Sequence, residues 1–201
     1  MTYKSITFGL LTVLSTLMTA GCGQLQSQGR SPSQVTISAL EAGSGVSGIP
    51  STFAGFLLSD VMNHTTNTVF DDVGRVTMSL HLKDPGVPGI ANAPSALNDV
   101  TFTRYHVVYR RSDGRNVPGV DVPYPFDSGM TFTIGAAGGT AVFEIVRHVA
   151  KVEAPLAALN SSSVVITTIA DVTFYGKDQA GNDVAVTGSM QVSFGDFADP
   201  S

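Results

Sequence analysis

Tryptophan is absent from the 201 residues, cysteine occurs once, and glutamate occurs only as Glu41, Glu144 and Glu153. Charged residues make up 13% of the chain, against roughly 25% in an average globular domain. So little Glu, Lys and Arg argues against a mainly helical protein, because helices draw on those residues together with Leu and Ala. A single cysteine, Cys22, rules out a disulfide within the chain. One uncharged, largely apolar run, residues 6–20, falls short of the ~20 residues that a permanent membrane-spanning helix needs. The chain also lacks a Gly-x-Ser-x-Gly elbow, a paired-histidine zinc motif and a phosphate-binding loop. No catalytic set and no cofactor is implied by motif. The formal charge is −5, which gives no general attraction to a phosphate backbone, so nucleic acid is not an expected partner.

What the chain does have is 43% hydrophobic residues, 21 Gly and 10 Pro. That mixture, rich also in Val, Thr and Ser, suits short strands joined by turns. At the amino terminus, Lys4 precedes the apolar run, and small residues Ala20 and Gly21 precede Cys22. This is the layout of an export signal. The stretch Thr19-Ala20-Gly21-Cys22 resembles the lipobox of bacterial lipoproteins, with Thr19 standing where that family usually has Leu. The resemblance implies cleavage before Cys22 and attachment of acyl chains to its thiol and new amine. Two or more chains give stable membrane retention, where one does not. Gly23, rather than Asp, after the cysteine implies passage to the outer membrane in a cell with two membranes. Loss of Lys4 with the signal leaves 10 Lys and Arg against 16 Asp and Glu.

The expected organisation is a lipoprotein signal over 1–21, a flexible tether over 22–52 and one β-domain over 53–201. Residues 23–34 are polar, with almost nothing to bury, and residues 34–40 alternate weakly enough to suggest a marginal strand. Residues 75–83 alternate cleanly, with Val76, Met78, Leu80 and Leu82 on one face, as a half-buried strand does. Residues 84–98, with three Pro and two Gly, read as a long loop. In residues 100–110, Val100 and Phe102 are out of phase with Tyr105, Val107 and Tyr109, so a bulge near Thr103 and Arg104 is needed to turn both sets inward. Residues 117–126 contain three Pro, which confines them to an edge strand or an extended surface segment. Residues 131–134 and 140–149 supply further strands, and residues 153–159 a helical turn.

The last hairpin carries the clearest pattern. Ala170, Val172, Phe174 and Gly176 fall on one side, a tight turn follows over 178–182, and Val184, Val186, Met190, Val192 and Phe194 return on a single face. These residues resemble the closing hairpin of bacterial immunoglobulin-like domains. The expected fold is an all-β, antiparallel immunoglobulin-like β-sandwich of about seven strands, with a closed barrel as the alternative. Residues 100–126 and 143–159 also resemble uncharacterised bacterial lipoproteins, which implies a location but no activity.

Several groups are candidates for chemistry. Glu144 and His148, placed on one strand face near Lys151 and Glu153, could act as a general base and its orienter in a hydrolase. Asp71 and Asp72 with Asn67, and Asp178 and Asp183 with Asn182, are candidates for calcium, although neither group has the acidic repeat of a calcium loop. Tyr124 and Phe126, with Tyr109 and Phe132, could form an aromatic platform for a glycan or peptide. Arg104, Arg110, Arg111 and Arg115 are the one basic concentration. His81 and His106 are placed on solvent faces and His64 in a polar turn. Each has a plain structural explanation, so the expectation is a lipid-anchored, non-enzymatic binding or structural module. Its expected partners are the membrane, through Cys22, and an envelope protein or glycan, with residues 84–98 and 111–129 as the contact loops.

Overall fold

The computed structural model describes residues 30–46 and 48–197. The expected signal, Cys22 and the start of the tether lie outside the described residues. Two sheets face each other. The first holds β1 (Ser33–Ser44), β3 (Asp72–Leu82) and β8 (Gly139–Val146) in the order β1-β3-β8. The second holds β2 (Phe56–Asp60), β6 (Val100–Arg110), β7 (Phe126–Ile134), β9 (Ile166–Asp178) and β10 (Asp183–Gly195) in the order β2-β10-β9-β6-β7. A small hairpin, β4 (Gly86–Val87) and β5 (Ile90–Ala91), stands apart. The helical pieces are η1 (Ala96–Asn98), α1 (His148–Lys151) and η2 (Leu156–Leu159).

Period-two patterning builds this sandwich. Val76 and Met78 of β3 are fully enclosed, as are Ala170, Val172 and Phe174 of β9. Opposite β9, the inward residues of β10 follow in register, Val184 on Gly176, Val186 on Phe174 and Met190 on Ala170. The two layers meet where Phe143 of β8 packs edge-on against Tyr105 of β6 and Phe174 of β9, with both pairs of ring centres 5.2 Å apart. The phase problem in β6 is solved as expected. Register shifts between Phe102 and Arg104, against both β7 and β9, so Thr103 is the extra residue. Val100, Phe102, Tyr105, Val107 and Tyr109 are then all buried. Gly176 sits opposite Phe102, where a Cβ would lie 2.4 Å from the Thr101 carbonyl oxygen. Only glycine lets the strands close there.

Three expectations need correction. The domain does not begin at residue 53: β1, assigned to the tether apart from a marginal strand, pairs with β3 from Ser33 opposite Leu82 to Ser44 opposite Asp72. It buries Val35 and Ala42. Its alternation is weak because register shifts between Ile37 and Ala39, so Ser38 is an extra residue and the inward set changes phase from Val35 and Ile37 to Leu40 and Ala42. Second, the larger sheet is mixed, since β2 runs parallel to β10. Third, residues 84–98 are not plain loop but carry the β4–β5 hairpin and η1. The chain crosses repeatedly between two separate sheets, as in an immunoglobulin-like sandwich rather than a closed barrel.

The sandwich has two distinct ends. Ser33, Leu82, Val100, Ile134 and Gly139 lie at one, and the Ser33 hydroxyl donates to the Asn98 carbonyl oxygen at 2.7 Å. Asp72, Val146, Ser59 and Tyr109 lie at the other, where Ser59 Oγ donates to Asp72 and Tyr109 Oη donates to the Ile145 carbonyl oxygen. The eleven residues of β3 connect the two ends, a span of about 33 Å. Arg30 enters beside Lys83, Asp84 and Asn98, at the first end.

Candidate functional site

The far end collects the groups that the sequence singled out separately. Asp71 and Asp72 stand where β3 begins, so their side chains leave on opposite sides. Asp72 points into the sandwich and is fully enclosed; Lys151 Nζ, also fully enclosed, lies 2.9 Å from its Oδ2. Ser59 Oγ donates to the same oxygen at 2.6 Å, and the Phe70 ring lies 4.4 Å from the ammonium. Burial pushes the Asp72 carboxyl above its ordinary range, although Lys151 and Ser59 pull the other way. The desolvation of this carboxylate outweighs what its partners return.

Asp71 faces outward and meets Glu144 and His148. Register shifts where Asp72 pairs with Val146 and Val73 with Glu144, so Ile145 is the extra residue. Ile145 and Val146 are both buried, which breaks the expected shared face of Glu144, Val146 and His148. The strand ends, α1 begins, and His148 is carried over Asp71. Its Nδ1 lies 2.7 Å from Asp71 Oδ1, and its backbone N–H donates to the same oxygen. Donor atoms of Asp71, Glu144 and His148 all fall within 4.8 Å of one another. The Glu144 backbone N–H donates to Tyr105 Oη at 3.2 Å, which ties the site to the core.

The electrostatics divide the two carboxyls. Burial raises the Glu144 pKa to about 7, and its hydrogen bond to Asp71 and the charge there add to the rise. Burial acts to raise Asp71 too, but hydrogen bonds from the His148 backbone, Glu144 and the His148 ring hold it below its ordinary value. Below about pH 7 Glu144 therefore holds a proton and is the donor to Asp71, whose Oδ1 also meets the His148 ring. Asp71 and His148 form part of the rim of an open depression with Gly45, Ile49, Val69, Phe70 and Val73. Its openness suits contact with a surface more than enclosure of a small molecule. Two carboxylates and one imidazole match the donor number of a zinc-type site, not the six to eight oxygens that calcium takes.

The other candidates disperse. Asp178 accepts from the backbone N–H groups of Ala180 and Asn182 and from Asn182 Nδ2, as a turn requires, and Asp183 pairs with Lys177. Each arginine of the basic concentration has a carboxylate partner: Arg104 with Asp127, Arg110 with Asp171, and Arg111 and Arg115 both with Asp113. Tyr124 is half exposed, but Phe126 and Tyr109 are buried and Phe132 packs against the core, so no aromatic platform forms. His81 is exposed, His106 pairs with Asp127 at 3.1 Å, and His64 pairs with Asp196 at 3.0 Å. Glu153 is exposed and Lys151 belongs to the buried pair. The two expected contact loops separate as well, since β6 runs from one to the other and puts them at opposite ends.

Reading the sequence alone missed Asp71 as the partner of Glu144 and His148, and missed Lys151 as a buried cation. The available signal was a doubled acid ahead of a clean strand, one of whose side chains must point inward. No family model matches the chain, and neither a curated protein nor a solved structure matches it.

Proposed function

We propose that this chain is a lipid-anchored protein of the bacterial cell envelope, held through acyl chains on Cys22, whose β-sandwich is a non-enzymatic binding or structural module. The reading is carried by one observation: the described chain enters at the end opposite the Asp71–Glu144–His148 site. A tether at Arg30 would present the far end outward, about 33 Å beyond the point of entry. That outward end carries the depression beside Asp71 and the exposed side chains of Val117, Val120 and Tyr124. Loops placed at one end of a rigid sandwich are a common contact surface. An envelope protein or a glycan is the expected partner, and outer-membrane placement follows from Gly23 if the cell has two membranes.

The test is fractionation of the full chain in its host. Cys22→Ala is expected to move the protein from the membrane to the soluble fraction and to abolish labelling by radioactive palmitate. Unchanged fractionation, or a bare Cys22 thiol in the mass spectrum of the purified protein, would overturn the reading.

A further inference from the structure

Residues 84–92 form a hydrogen-bonded hairpin with an apolar tip rather than an irregular loop. Pro88 and Gly89 make the two-residue turn between β4 and β5, with Gly89 at φ +89°, the position a turn of this kind reserves for glycine. Asp84 Oδ1 accepts from the Gly86 N–H at 2.9 Å, and the Asn92 N–H donates to the Pro85 carbonyl oxygen at 3.1 Å. Val87 and Ile90 are direct cross-strand partners, so both side chains leave the same face of the hairpin. They are 62% and 73% exposed, and Leu97, on the η1 turn that follows, is 80% exposed. The prong is fastened to the sandwich where the chain enters. The Lys83 N–H donates to the Pro32 carbonyl oxygen at 2.9 Å, and Ser33 holds Asn98.

We infer that this hairpin is a membrane-contact element: Val87, Ile90 and Leu97 dip into the acyl–headgroup boundary of the bilayer to which Cys22 is attached. The inference rests on the anchoring reading above and deepens it. Cys22 precedes Arg30 by eight residues, a reach of at most about 29 Å even when fully extended. Arg30 in turn lines one depression with Lys83, Asp84 and Asn92, at the base of the prong. The lipid therefore holds the prong near the bilayer at high effective concentration. Exposed aliphatic side chains gain by leaving water, as the apolar face of an interfacial amphipathic helix does when it sinks about 5–10 Å into the headgroup boundary. The net negative charge of the chain is no obstacle with zwitterionic headgroups, because the attraction is apolar. Of the other exposed apolar residues, Val117, Val120 and Ile49 sit at the opposite end, while Phe56 and Leu58 on β2 and Val142 on β8 lie along the flanks of the sandwich.

The absence of tryptophan makes the test direct. The full lipidated chain, purified from a bacterial host, is reconstituted into palmitoyl-oleoyl phosphatidylcholine vesicles in two forms, Ile90→Trp and Val164→Trp. Both positions are exposed, and Val164 belongs to the far end. The expected result is a blue-shifted emission for Ile90→Trp that is lost to brominated acyl chains, with Val164→Trp unshifted and unquenched. A second pair of measurements uses Val87→Ser with Ile90→Ser, expected to speed transfer of the lipidated protein between vesicles about tenfold. If intact mass shows the acyl chains in place but Ile90→Trp emits like Val164→Trp, the membrane-contact element is overturned and anchoring stands. If the Cys22 thiol is bare, both fall.

Discussion

Asp71 and Asp72 are neighbours in sequence and occupy opposite environments. Asp72 is buried against Lys151, and neither side chain is exposed. Removing one partner from such a pair leaves an uncompensated buried charge. Lys151→Ala is therefore expected to lower the unfolding free energy by about 3–5 kcal/mol, measured by urea denaturation. Replacing both partners by apolar residues, Asp72→Leu with Lys151→Met, should offset much of that loss. Asp71 instead faces Glu144, whose pKa lies at about 7 against an ordinary value of 4.5. Between those values the folded state binds a proton that the unfolded chain has released. The contribution of Glu144 is thus complete below about pH 4.5 and is lost as pH rises toward 7. Glu144→Gln is expected to flatten the decline of stability over that window, while a slope equal to that of the parent chain would show that the carboxyl is not held protonated.

Thr103 in β6 and Ile145 in β8 are extra residues that shape their strands, as Ser38 is in β1. Thr103 in β6 lets Val100 and Phe102 point inward together with Tyr105, Val107 and Tyr109. Deleting Thr103 forces one set to the wrong face. Phe102 is fully buried, and losing its burial by itself sets the expected loss at about 3–5 kcal/mol or more, read as a large drop in thermal midpoint. Thr103→Ser, which keeps the residue count, should leave that midpoint near its starting value. Ile145 in β8 plays the second part. Its bulge ends the strand and delivers His148 to Asp71. The bulge in β6 was legible because five apolar side chains demanded it. The bulge in β8 was not, since Glu144, Val146 and His148 also fit a plain alternation.

The molecule as a whole is a two-ended object. Chain entry and the apolar hairpin occupy one end, while the buried ion pair and the Asp71–Glu144–His148 site occupy the other. This polarity links the proposed anchor to the proposed outward surface and explains why the two long loops cannot act as one contact site. Without a disulfide, the sandwich depends on its enclosed aromatics, Tyr105, Phe143 and Phe174, to hold the layers together.

Local chemistry determined a good deal of this from sequence alone. Period-two alternation in β3, β9 and β10 dictates strands and their inward faces, because each side chain is committed by its immediate neighbours. Asp178 and Asn182 likewise dictate their own turn. Tertiary structure decided what depends on distant partners. Only pairing with β3 makes a full strand of β1, and only the antiparallel pairing of β8 beside the start of β3 brings Glu144 and His148 to Asp71. Lys151 reads as a solvated charge until Asp72 is placed beside it, since burial of a charge is set by what surrounds it and not by its place in the chain.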